Sequence, residues 1–172
     1  MPDFRSKTLL IVYSYHHNNT EKVARTFAGV LEAAIMRPEQ VDPETLKDYD
    51  LIGFGSGIDS ARHYKQLLDL VDRLPPAGTG KAFIFSTCGV PACLARGEQF
   101  EKLAEKNHST LRQKLHNKGY AIVDEFSCPG FNTNSFLKLF GGLNKGRPDA
   151  EDLQHAAAFA AGLLRKTGGS QL

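Results

Sequence analysis

Residues 8–20 read Thr-Leu-Leu-Ile-Val-Tyr-Ser-Tyr-His-His-Asn-Asn-Thr, and this stretch decides the fold class. Leu9 to Tyr13 is an unbroken apolar run without the alternation of a half-exposed strand. Such a run suits a strand buried on both faces, as in a parallel sheet. It stops abruptly at the polar loop Ser14–Thr20, and a helical pattern starts immediately afterwards. A polar loop between a buried strand and a helix N-terminus can bind phosphate. Free N–H groups point outward, hydroxyl and amide side chains add donors, and the helix dipole favours an anion. The loop is rich in Ser, Asn, His and Thr and lacks Lys and Arg, which suits a phosphate held by neutral donors. The plainer alternative is an ordinary turn with Asn as N-cap.

Three further runs resemble the first: Leu51 to Gly55, Ala82 to Ser86, and Tyr120 to Phe126. Between them lie apolar stripes at helical spacing. Val23, Phe27, Val30 and Leu31 form one, and Tyr64, Leu67, Leu68 and Val71 a second. Phe100, Leu103, Leu111 and Leu115 form a third that ends at Gly119. Leu153, Ala156, Ala157, Ala160 and Leu164 form a fourth, with Asp149 as N-cap and Arg165-Lys166 suiting the C-terminal dipole. All read as core faces rather than cofactor boxes. Strands alternating with helices imply parallel strands joined by right-handed crossovers. Ala33 to Met36 is the apolar candidate for a short second strand at an edge.

The 172 residues suit a single domain over 1–172, with residues 1–6 and 167–172 as flexible ends. Apolar content of 41% and charged content of 23% are those of an ordinary globular protein. A net charge of +2 calls for no nucleic acid or anionic membrane as partner. No apolar run approaches the roughly 18 residues of a membrane span, and the first residues lack the apolar core of a signal peptide. A cytoplasmic protein is expected. Three cysteines, an odd number, argue against a closed disulfide framework.

In an open parallel sheet, ligands bind outside the carboxyl ends of the strands, where strand order reverses. The loops there are Ser14–Thr20, Gly55–Arg62 and Ser86–Ala95. The second and third are rich in Gly, Ser and Thr, so backbone can approach a flat ligand closely. One phosphate loop and two small-residue loops describe a mononucleotide site with an aromatic ring system.

With Ser14 after the first strand and Asn19-Thr20 closing the loop, the chain resembles the flavodoxin-like family of FMN-binding proteins over nearly its full length. The loop Ser14-Tyr15-His16-His17-Asn18-Asn19-Thr20 and the stretch Gly141 to Leu153 are similar to a branch of small flavodoxin-domain proteins. The resemblance implies a three-layer α/β sandwich around a five-stranded parallel sheet of order 2-1-3-4-5. It implies that Ser14, His16, Asn18, Asn19 and Thr20 hold the FMN phosphate. Ser56, Gly57 and Ile58 would line one side of the ring, and Ser86, Thr87, Cys88 and Gly89 its other edge. It assigns no catalytic residue and no metal.

The implied role is electron transfer with a redox partner protein. An FMN-dependent NAD(P)H or quinone reductase and a non-catalytic binding domain are the alternatives. Single-electron flavodoxins are strongly acidic and sandwich the flavin between aromatics. Here Lys+Arg number 21 against 19 Asp+Glu, and Asp59 follows Ile58 where an aromatic would be sought. One flavin face would then be open, or covered by Phe131, Phe136 or Phe140 from the long segment 127–148, or stacked by Tyr15 or Tyr64. Oligomeric state is left open.

Other motifs read plainly. His16 and His17 are adjacent, so their side chains diverge and one would face the phosphate. His63, His108, His116 and His155 fall on helical stretches at no ligand spacing and read as surface residues. Cys88 and Cys93 have neither redox nor zinc spacing. Lys138, Lys145 and Arg147 read as a small basic patch. There is no nucleophile elbow and no Walker loop, and Gly53-Phe54-Gly55-Ser56-Gly57 is not a dinucleotide fingerprint.

Overall fold

In the computed structural model, which describes residues 7–133, 137, 139 and 141–168, strands and helices alternate from β1 (Thr8–Tyr13) to α4 (Ala150–Gly168). The other elements are α1 (Asn19–Leu31), β2 (Ala34–Met36), β3 (Leu51–Asp59), β4 (Arg62–His63), α2 (Lys65–Arg73), β5 (Lys81–Cys88), α3 (Glu98–Asn117) and β6 (Ala121–Pro129). Five strands run parallel in the order β2-β1-β3-β5-β6, the expected 2-1-3-4-5 when parallel strands alone are numbered. No helix among the described residues is long and apolar enough to cross a membrane.

Successive residues of a strand face opposite sides of its sheet. Leu9 and Ile11 of β1 therefore join Ile52, Phe54 and Ile84 under α2 and α3, with Leu67, Leu70, Val71, Leu111 and Leu115. Leu10 and Val12 join Phe83 and Phe85 under α1 and α4, with Val23, Phe27, Leu31, Ala156, Ala160 and Leu163. Gly53 and Gly55 belong to this packing. A Cβ at either would come within 2.5 Å of Phe83 or 2.2 Å of Phe85, so the glycines make room for two phenyl rings.

Three details differ from the sequence reading. β4 is an extra two-residue strand, antiparallel to the end of β3, with Ile58 opposite His63. Its turn, Ser60-Ala61, has φ of 51° and 61°. Such turns normally select Asn or Gly, so no turn signal marks it. In α4, Leu163 is buried while Leu164 is 41% exposed, so the core stripe runs one residue earlier at that end. The helix also continues through residue 167, whose hydroxyl donates to the Leu163 carbonyl. Asp149 does cap α4: its carboxylate accepts from the Asp152 N–H, and the Asp152 carboxylate accepts from the Asp149 N–H.

β6 carries a bulge at Val123, where pairing with β5 steps from Ile122 to Asp124. The extra residue resets the alternation. Asp124 then meets Lys166 of α4, whereas Glu125 and Ser127 face α3.

Candidate functional site

Loops after β1, β3, β5 and β6 meet around a shallow trough at the carboxyl edge of the sheet. Strand order reverses between β1 and β3, so the trough lies at the switch point. Ser14, Tyr15, His16, Asn19 and Thr20 line it from the first loop. Gly57, Ile58 and Tyr64 line it from the second, and Thr87, Cys88 and Gly89 from the third. A fourth contribution, Gly130, Phe131 and Asn132, comes from the segment after β6. It encloses about 50 Å³, well below the ~300 Å³ at which ligand pockets begin. A ligand with a large ring system would lie across it or widen it.

The first loop turns sharply into α1. His17 and Asn18 have φ of 56° and 53°, and Asn18 makes no side-chain cap bond. The first-turn N–H groups therefore remain available to an external acceptor. The Thr20 hydroxyl lies 2.8 Å from that of Thr87, which joins the first and third loops. Asn19 donates through Nδ2 to the Phe131 carbonyl at 2.8 Å, while its buried Oδ1 has no partner. A Cβ at Gly130 would come within 2.9 Å of Asn19 Nδ2, so a side chain there would displace this contact. His17 Nε2 sits 2.8 Å from the Thr133 hydroxyl.

Aromatic cover comes from outside the glycine-rich loops. Tyr64 centres 5.4 Å from Tyr13 and 6.5 Å from Tyr15, and its ring lies against Gly57. Burial, then the neighbouring Asp59 carboxylate, raises the Tyr64 pKa. On the other side Phe131 packs 4.4 Å from His17. Phe136, Phe140 and Lys138 lie outside the described residues.

Ser56, Ser86 and Asn18 are not among the side chains that line the trough itself. Asn18 is exposed at the helix cap. Ser56 and Ser86 are fully buried beneath the trough, each joined to a histidine. His63 and His108, read from sequence as surface residues, are 2% and 1% exposed. His63 lies on β4, not a helix, and its ring centre stands 5.1 Å from that of His108 on α3. The Ser56 hydroxyl donates to the Gly57 carbonyl and accepts from the Tyr64 N–H. Its proton is thus used, so His63 Nδ1, 2.9 Å away, is the donor of that pair. His63 Nε2 has no partner. Burial, then repulsion from His108, holds the His63 pKa well below 6.5.

His108 has both nitrogens engaged. Nε2 lies 2.8 Å from Ser86 Oγ, and Nδ1 lies 2.8 Å from Glu125 Oε2. Ser86 Oγ is 3.0 Å from Ser127 Oγ. Burial pushes Glu125 up, but hydrogen bonds from Arg112 and His108 outweigh it and bring its pKa to about 2. Glu125 is therefore a carboxylate at neutral pH.

All three cysteines are free, with Cys88 and Cys128 buried and Cys93 exposed. Burial raises the Cys88 thiol, against opposing hydrogen bonds from the Val90 backbone and Ser127. Arg147 is not part of an open basic patch: it pairs with Asp152 at 2.7 Å. Gly130 and Asn132 are the lining residues that sequence reasoning missed. Their position directly after β6, a fourth loop at the same sheet edge, was the available signal.

No family model matches the chain. Among curated proteins, an uncharacterized protein of Methanocaldococcus jannaschii, MJ0298, is 42% identical over 159 residues, covering 92% of this chain and 99% of the relative. Among solved structures, oxidised flavodoxin 2 from Bacillus cereus superposes with a TM-score of 0.66 at 17% identity, over 94% of this chain and 99% of its own. Rubredoxin oxygen:oxidoreductase from Desulfovibrio gigas gives a TM-score of 0.61 at 14% identity, over 96% of this chain and 37% of its own. The fold is flavodoxin-like.

Proposed function

We propose that this chain, which belongs to the same family as MJ0298 of Methanocaldococcus jannaschii, is a redox protein that binds FMN non-covalently and passes electrons through it. The observation that carries this reading is the convergence of Asn19 and Thr20, at an uncapped helix N-terminus, with Gly57, Thr87, Cys88 and Gly89 at the switch point. The donor set fits the group. Ser14, His16, Asn18, Asn19 and Thr20 with the first-turn N–H groups of α1 suit the phosphate. The unpaired Asn19 Oδ1 suits a ribityl hydroxyl. Gly57, Ile58, Thr87, Cys88 and Gly89 flank the ring, with Ser56 and Ser86 supporting their strands from beneath.

Bound FMN supplies the electron chemistry, while the protein contributes binding, orientation and electrostatics. The tyrosines at the trough favour a carrier with a protein partner. The net charge of +2, without the acidic surface of such carriers, favours the second reading, an FMN-dependent NAD(P)H or quinone reductase. Absorbance of the purified protein after adding FMN and desalting tests the cofactor: retained flavin bands are expected, and a colourless protein would overturn it. Asn19→Ala combined with Thr20→Ala is expected to weaken FMN binding at least ~10-fold in a fluorescence titration, since bonds to a charged group each contribute about 1.5 kcal/mol or more. Rapid bleaching of the bound flavin by NAD(P)H alone would replace the carrier with the reductase.

A further inference from the structure

β6 is the last strand of the sheet, and α3 and α4 flank its outer edge from opposite faces. Between the two helices lies a cavity of about 500 Å³. That is inside the range of about 300–1,000 Å³ in which ligand pockets fall. The cavity and the trough share no lining residue. Five consecutive residues of β6, Glu125 to Pro129, form one side of it. From α3 come Gly97, Phe100, Glu101, Ala104, Glu105 and His108, whose spacing of three and four places them on one helix face. Gly97 and Ala104 leave room that larger side chains would fill. Phe100, Ala104, Phe126 and Pro129 make the wall apolar.

The charges around this wall fall into two groups. Glu125 is held by Arg112 at 2.5 and 2.7 Å, and Asp152 by Arg147 at 2.7 Å. Arg96, also in the lining, bonds to both carboxylate oxygens of Glu151 at 2.6 Å. Glu101 and Glu105 differ. Among the described residues neither is in an ion pair. Lys102 of the same helix is held by Glu98. Arg112 reaches the Glu105 backbone carbonyl at 3.1 Å, but both its bonds to a carboxylate go to Glu125. The two glutamates are exposed at the cavity mouth, four residues apart on one helix face, where like charges repel.

We propose that this cavity is a binding site for a small organic amine. The apolar body of the ligand lies on Phe100, Ala104, Phe126 and Pro129, and its ammonium stands between Glu101 and Glu105. Filling the cavity removes apolar surface of both partners from water. An ammonium carries three N–H donors, enough to serve both carboxylates, and such charge-assisted bonds are the stronger kind. It also relieves the repulsion between the two glutamates. An anion of the same shape meets like charge at the mouth and is rejected. The site is independent of the FMN reading, since it uses no residue of the trough.

The test uses three probes with one ring and different charge: tryptamine, tryptophol and indole-3-acetate. Each is titrated into the full 15N-labelled chain, and backbone amide shifts are followed by NMR. Tryptamine is expected to shift the amides of Gly97, Phe100, Ala104 and Ser127 to saturation. Tryptophol should bind there on the order of 10-fold more weakly, and indole-3-acetate more weakly still. Glu101→Gln combined with Glu105→Gln should bring the tryptamine and tryptophol affinities together. Ala104→Phe, which fills the space, should lose both. Tryptamine shifts that are absent, or confined to Gly57, Gly89 and Gly130 of the trough, overturn the site. Equal affinities of the three probes in the parent, or a preference for tryptamine that survives in the double glutamine variant, overturn the assignment to amines. Circular dichroism checks both variants. The glutamine variant, changed at exposed positions alone, decides the matter if Ala104→Phe does not fold.

Discussion

The two faces of the sheet are built on opposite terms. Against α1 and α4 the packing is aromatic and apolar for most of its length, with the buried Thr20–Thr87 hydroxyl pair at the carboxyl edge. Phe27 stands edge-on to Phe83 and Phe85 at 5.7 and 5.1 Å, with Phe126 and Phe159 closing the group. Against α2 and α3 the packing starts the same way, with Leu9, Ile52 and Ile84. Toward the carboxyl edge it changes to Ser56, His63, Ser86, His108, Glu125 and Ser127. One face supplies stability and the other holds directional bonds behind the loops of the trough. The strands are shared, so each side can be perturbed on the same β5: Phe85 points one way and Ser86 the other.

The comparison breaks most visibly at Phe85. Phe85→Ala, leaving space beside Gly55, should cost about 3–5 kcal/mol in urea unfolding. A loss under ~1 kcal/mol would mean that the aromatic face is not the main source of stability. Glu125→Gln comes next. It leaves Arg112 without its charged partner and should cost about 2 kcal/mol, below the value for a fully buried pair because Glu125 is partly exposed. The loss should depend on pH. The native pKa of about 2 against 4.5 unfolded gives Glu125 a stabilisation present above pH 4.5 and lost as pH falls toward 2. Parent and variant melting temperatures should therefore converge in acid.

His63 sharpens the contrast at milder pH. Its folded pKa lies well below 6.5, so the unfolded chain takes up a proton that the native one refuses. Stability is full above pH 6.5 and declines as pH falls below it. His63→Gln should flatten that decline in thermal melts between pH 7 and 5, and an equally steep decline would assign the acid sensitivity elsewhere. The smallest effect is expected at the β4 turn. Ala61 at φ 61° carries left-handed strain that glycine would not, so Ala61→Gly should gain about 0.5 kcal/mol despite the entropy of glycine. A loss there would mean that the turn is held by contacts rather than by its backbone preference.

The aromatic face was legible because its signal is local. Apolar runs at Leu9, Leu51 and Ala82 with helical stripes between them specify a parallel sheet, and Gly119 and Asp149 mark helix ends by their own chemistry. The loops of the trough could be placed for the same reason, since each follows directly from a strand end. The polar face could not be read. His63 and His108 are 45 positions apart and meet only because the β4 hairpin turns back under α3. That hairpin has no Gly or Asn at its turn. The bulge at Val123, which decides whether Glu125 faces α3 or α4, is a matter of pairing register. A histidine on a helix with no ligand spacing reads as solvated until the ring it packs against is placed.

Asn144 gives the trough a mechanical character. Its side chain accepts from the Ala92 N–H at 2.8 Å and donates to the carbonyls of Val90 and Gly130 at 2.6 and 3.2 Å. Two walls that come from separate strand ends are thus tied by one side chain, beside the bond from the Gly130 N–H to the Cys88 carbonyl. Tied in this way, the two walls form one unit that faces the β1 loop across the gap. Contacts therefore run without a break from the Gly89 wall through Asn144 to Gly130, and from the neighbouring Phe131 carbonyl to Asn19.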